Sequence, residues 1–160
     1  MLKQLLLCLR LVSAPAMAAE WNFEGGSTPI AYSDNGDAQF QFACRGGDLA
    51  MGYWVRKPEA EVAAAGSMSL AMNANGSKVS AGNDTSFAQD LPLIHSDGSS
   101  IVVRGPVARQ WAQIAQRAGE SIHLAYVQSK PGGELKFFDR QSFGAKGSSA
   151  AIAKVTSHCG

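Results

Sequence analysis

The chain has 160 residues, and its 14 Lys and Arg nearly balance its 13 Asp and Glu, for a formal charge of +1. That balance gives no electrostatic reason to seek nucleic acid or an anionic membrane surface. With 46% hydrophobic residues, 17% charged residues and 17 glycines, the composition is that of a folded, turn-rich chain rather than a disordered one.

Residues 1–18 read as a cleavable secretory leader. Lys3 supplies the positive start, 5–12 the apolar stretch despite Arg10, and Ala16-Met17-Ala18-Ala19 the small-residue cleavage site, after Ala18 or Ala19. The apolar run is far too short to span a membrane, which takes about 20 residues. Leu7 before Cys8 argues against lipidation there. The mature chain, 19–160, is then a single exported domain of roughly 140 residues, enough for one core. Loss of Lys3 and Arg10 leaves 12 basic against 13 acidic residues. It also leaves two cysteines, Cys44 and Cys159. An even number in an oxidising compartment predicts one disulfide between them.

The first half of the mature chain is patterned in twos. Residues 30–32 and the turn Asp34-Asn35-Gly36-Asp37 feed a strand in which Phe40, Phe42 and Cys44 alternate with Gln39, Gln41 and Ala43. Beyond Arg45-Gly46-Gly47-Asp48 the alternation resumes with Leu49, Met51, Tyr53 and Val55, the mark of an antiparallel hairpin. Residues 58–65 fit either a short helical turn or a loop. Met68, Leu70 and Met72 alternate again, and Asn73-Ala74-Asn75-Gly76 predicts a turn into a return strand over 78–80.

Residues 91–94 and 101–103, around Ser96-Asp97-Gly98, read as another hairpin. Gly105-Pro106 opens a helix reaching Ala118, because proline fits the first helical turn. Val107, Trp111, Ile114, Ala115 and Ala118 share its apolar face, and Gly119 ends it. Ile122, Leu124 and Tyr126 alternate with His123, Ala125 and Val127, so this strand is apolar on both faces and expected to be central. Pro131-Gly132-Gly133 turns it into a partner over 135–138. A Ser148/Ser149 cap begins a last helix over 150–158, whose Ile152, Val155 and Cys159 share one face. The fold class expected is α+β: an antiparallel sheet or sandwich of about eight strands, about two helices packed on it, and one disulfide.

Familiar catalytic and metal-binding patterns are scarce. There is no G-x-S-x-G and no H-E-x-x-H. Ser121 and His123 lie two apart on a strand, about 7 Å between backbone positions, which reads as too far for a direct hydrogen bond. Asp34, Asp37 and Asp48 fall in turn signals, where Asp caps the backbone. Met68 and Met72 offer soft sulfur for Cu(I), but methionines filling a core explain the pair without metal. His158 beside Cys159 diverges around a helix. Asn75 and Asn83 begin N-x-[S/T] sequons, which matter only in a eukaryotic secretory pathway, whereas the leader looks bacterial. The chain therefore reads as non-catalytic, without a cofactor.

Trp54 is the candidate binding residue. It lies opposite Tyr53 across the strand, among the small Ala50 and Gly52, with Arg56 continuing the same face. A flat aromatic beside a guanidinium suits a carbohydrate or a partner side chain. The competing and favoured expectation is that the Trp111 helix covers Trp54 as core.

The ending Phe143-Gly144-Ala145-Lys146-Gly147, then Ser148-Ser149-Ala150-Ala151-Ile152, Val155 and Cys159, resembles that of small exported bacterial proteins. The invasion-associated locus B family and periplasmic accessory proteins of type VI secretion look like this. The resemblance implies a β-rich periplasmic fold and an accessory or binding role, and it transfers no catalytic residue. The expected function is a non-catalytic periplasmic or secreted binding or accessory protein, its partner another envelope protein or a small ligand. The alternative is an envelope enzyme inhibitor or secretion-system accessory subunit working through a loop such as 73–83; a copper-binding protein or an enzyme ranks below both.

Overall fold

The structure is a computed structural model that describes residues 20–76 and 78–159. The leader reading lies outside the described residues.

Two antiparallel sheets build the fold. In chain order the strands are β1 (Asn22–Glu24), β2 (Ile30–Asp34), β3 (Ala38–Arg45), β4 (Asp48–Val55), β5 (Ser67–Asn73), β6 (Ser86–Pro92), β7 (Ser99–Arg104), β8 (Ser121–Ser129) and β9 (Leu135–Gly144). Helix α1 (Ala60–Ala64) follows β4, α2 (Gly105–Gln116) follows β7 directly, and α3 (Ser148–Thr156) follows β9. The five-stranded sheet runs β1-β2-β3-β4-β7 and the four-stranded sheet β6-β5-β8-β9. The architecture is the expected α+β one, a β-sandwich with helices and one disulfide.

The inner face of the five-stranded sheet is the alternating set expected from sequence. Phe40, Phe42, Cys44, Leu49, Met51, Tyr53 and Val55 are all buried. Its two halves meet different cover. Tyr53 packs on Tyr126 and Phe143, and Phe40 on Phe143, with ring centroids 5.0–6.4 Å apart, which joins the sheets. Towards Cys44 and Leu49 the helices take over: α2 lies against β4 and β7, α3 against β1, β2 and β3, and the helices touch each other. Cys44 is bonded to Cys159 there, as expected. β8 is central, between β5 and β9.

Several local expectations are corrected. Residues 78–80 are not a strand, because the Asn73 carboxamide captures the loop instead. Its Oδ1 accepts from the Asn75 and Gly76 N–H groups at 2.8 Å, and its Nδ2 donates to Lys78 O and Asp84 Oδ2. Buried Val79 plugs against Ala71, Ala125 and Val127 on the outer face of the four-stranded sheet. Residues 91–94 and 101–103 do not form a hairpin ladder. β6 pairs with β5 and β7 with β4, and only an Ile94–Ser100 bridge joins the two segments. The chain changes sheets here, at a corner where the His95 ring contacts both Ser99 Oγ and Ala65 O at 2.8 Å.

Helix α2 ends at Gln116 rather than Ala118, because its last turn tightens into Arg117 N–H to Ile114 O and Ala118 N–H to Ala115 O bonds. Its buried residues are Ala108, Trp111, Ala112 and Ala115, with Val107, Ile114 and Ala118 partly buried beside them. The N-cap of α3 is Gly147, not a serine; buried Ser148 instead donates from Oγ to Ala115 O, tying α3 to α2. Residues 60–64 resolve the open choice as a helix. Met68 and Met72 are buried in the main core. No helix among the described residues is long and apolar enough to cross a membrane.

Candidate functional site

Strand alternation sends Gly52, Trp54 and Arg56 to the outer face of the five-stranded sheet. Register sets their neighbours: Gln41 lies opposite Gly52 and Gln39 opposite Trp54 on β3, while Val102 and Ser100 take those places on β7. Together with Ser96 and Asp97 they line an open groove of about 290 Å³. It lies at the lower end of the size range for small-ligand sites.

Trp54 is half-buried and held from two directions. Its Nε1–H donates to Asp97 O at 2.7 Å, and the Arg56 guanidinium stacks over the indole, 4.5 Å from its centroid. Arg56 is in turn fixed. Its Nη1 donates to Asp34 Oδ1 and Gly36 O, both at 3.1 Å, and its Nη2 bonds Asp34 Oδ2. The guanidinium bonded to Asp34 holds that carboxyl below its ordinary range, against the opposing effect of partial burial. The turn after β6 closes on the same tryptophan. Gly98 has φ +111°, and a Cβ there would lie 2.1 Å from Val55 O and 2.9 Å from Trp54 Nε1, so only glycine fits.

The expected cover of Trp54 by the Trp111 helix is therefore overturned. Trp111 is 1% exposed and belongs to the inner core, since α2 packs on the opposite face of the same sheet. The structure brings Trp54 and Arg56 together, but Arg56 serves as a neutralised backing for the ring rather than as a free cation. Chemically, the groove offers one aromatic surface, glutamine amides, serine hydroxyls and, at its wall, Asp97. Gln39 Nε2 donates to Gln41 Oε1 at 3.0 Å, and the Gln41 side chain lies across the bare backbone of Gly52.

Gln39, Gln41 and Ser100 were missed as site residues. The first two were within reach: counting outward from the two-residue Gly46-Gly47 turn pairs Gln41 with Gly52 and Gln39 with Trp54. Ser100 arrives from a strand distant in sequence, and no local signal announces it.

A second constellation corrects the expectation about Ser121 and His123. Their Oγ and Nε2 are 2.9 Å apart, a direct hydrogen bond. Backbone spacing does not decide the matter, because a histidine side chain leaning along its strand spans the gap. Burial pushes the His123 pKa down, opposed by a hydrogen bond with the Gly76 backbone. The ring is thus positioned by main chain, not by the carboxylate that orients the base of a catalytic triad. Asp34 and Asp48 make ion pairs with Arg56 and Arg104. Among the described residues, no group of three or more His, Cys, Asp or Glu is placed to hold a metal ion.

Compared with known protein families, with curated proteins and with solved structures, the chain matches none.

Proposed function

We propose that this chain is a non-catalytic binding or accessory protein of the bacterial periplasm or cell exterior, whose ligand or partner seats at Trp54. The observation that carries this reading is an aromatic ring fixed by Asp97 O and Arg56 yet bordering an open groove on a sheet face. Structural tryptophans are packed away, as Trp111 is; a ring immobilised at a groove is preorganised to bind. The Cys44–Cys159 bond fits an oxidising compartment. The leader reading of residues 1–18 and the resemblance of the 143–159 ending to exported accessory proteins support the same placement.

The test uses Gly52→Leu, which displaces the Gln41 side chain and intrudes on the groove without removing Trp54. Immobilised wild-type protein is expected to retain a defined component of envelope extract that Gly52→Leu, folded by circular dichroism, does not. Equal retention by both proteins would remove this face from consideration.

A further inference from the structure

We infer that the Trp54 groove recognises an uncharged saccharide, a deepening that rests on the binding reading above. Along β4 and just past its end the outer-face residues run Gly52, Trp54, Arg56, so the guanidinium backs one side of the indole and a residue without a side chain flanks the other. The Gln41 side chain crosses Gly52 on that side, so a flat ligand meets the indole and the Gln41 amide together. A pyranose ring presents a layer of C–H groups carrying slight positive charge, which match the negative face of an indole. Its hydroxyls need donors and acceptors around the rim, and Gln39, Gln41 and Ser100 provide both kinds.

Charge separates a neutral sugar from its alternatives. The cation beside the site is already bonded to Asp34 and Gly36 O, so it offers an anionic ligand no unpaired charge. Asp97, on the groove wall, repels anions further. An apolar peptide would cover the glutamine amides and satisfy nothing beyond their own Gln39–Gln41 bond, at a cost of about 1–3 kcal/mol for each group left unsatisfied. A saccharide satisfies both the aromatic surface and the amides.

The experiment is titration calorimetry of the full chain with cellotriose, maltotriose, chitotriose, laminaritriose and xylotriose, and with trigalacturonate as the anionic comparison. At least one neutral trisaccharide is expected to bind, with equal affinity at low and at high salt. Trp54→Ala and Gly52→Leu are each expected to weaken it about tenfold or more. Circular dichroism and urea midpoints verify that both variants are folded. Trp54→Phe, which keeps a ring, is expected to retain part of the affinity. Absence of binding by all five neutral sugars, tighter binding of trigalacturonate, or binding unchanged in Gly52→Leu would each overturn the assignment. The broader binding reading fails separately, by the extract experiment: Gly52→Leu still loses its retained component if the ligand is not a sugar.

Discussion

Asp139 and Glu59 hold one another's backbone. Both carboxylate oxygens of Asp139 accept from the Glu59 N–H at 3.1 Å, while the Asp139 N–H donates to Glu59 Oε1 at 2.7 Å. The pair joins the start of α1 to the middle of β9, where Asp139 has φ 47° and its carbonyl accepts from the buried Tyr53 hydroxyl at 2.6 Å. Burial, and then the nearby Glu59 charge, raise the Asp139 pKa above its ordinary 3.8, against the lowering effect of the Glu59 N–H.

The Asp139 relationship predicts how two substitutions differ. Asp139→Ala removes the acceptor and puts a residue poorly suited to positive φ in its place, at an expected cost of about 1–3 kcal/mol. Asp139→Asn keeps an acceptor and tolerates the conformation, so it should cost less than about 1 kcal/mol. The sign of its pH dependence follows from the raised pKa. Stability associated with the protonated carboxyl is full below 3.8 and is lost as pH rises through the folded value. Wild type should therefore lose its advantage over Asp139→Asn between pH 4 and pH 7, as urea unfolding at the two values would measure.

The two tryptophans on opposite faces should respond differently to truncation. Trp111→Ala opens the inner core and should cost about 3–5 kcal/mol. Trp54→Ala gives up one hydrogen bond and a cation–π contact, about 1–2 kcal/mol. Comparable losses in urea unfolding would place Trp54 in the core after all.

The alternation of apolar residues made β3, β4 and β8 legible in sequence, because each buries a periodic set and the period identifies it. Alternation also assigned Tyr53 and Trp54 to opposite faces. What it could not supply was the cover of each face, since that depends on α2, three strands further along the chain. The same gap explains β6 and β7. Period and turn residues around Gly98 look like a hairpin, yet the strands belong to different sheets, a choice made by the long-range partners β5 and β4. The 74–85 loop escaped because Asn73, one side chain at a strand end, replaces a ladder with its own hydrogen bonds.

His123 gives a second pH prediction. Its folded pKa lies below the ordinary 6.5, so the unfolded chain binds the proton first on acidification. Stability should fall as pH drops below 6.5 and level off once pH passes the folded value. His123→Gln, with no proton to take up, should flatten that limb of the stability profile. Asp34 acts lower on the scale: its depressed pKa gives stability present above 3.8 and lost as pH falls through the folded value. Arg56→Gln should remove that Asp34 contribution.

The Ser121–His123 contact makes the non-catalytic reading open to direct attack. A fluorophosphonate probe at neutral pH is expected to leave Ser121 unmodified, since the ring is held by Ser121 Oγ and the Gly76 backbone rather than by a carboxylate. Stoichiometric labelling, absent in Ser121→Ala, would reassign the protein to the serine hydrolases.

Removing the disulfide as Cys44→Ala with Cys159→Ala should cost about 2–5 kcal/mol. Peptide mapping without reductant should recover the two cysteine peptides joined.

The Cys44–Cys159 bond also divides the chain into covalently unequal parts. It closes a ring across a sequence separation of 115 that encloses everything from β4 to α3. The strands β1 and β2 hang outside it, attached to the ring by a single stretch of backbone. A protease cut within the ring, at the 130–134 turn for example, leaves both fragments tethered and able to reassemble. One cut in the Asp34–Asp37 turn instead leaves β1 and β2 held by packing and hydrogen bonds alone. The protein's tolerance of backbone cleavage should thus change abruptly at Cys44.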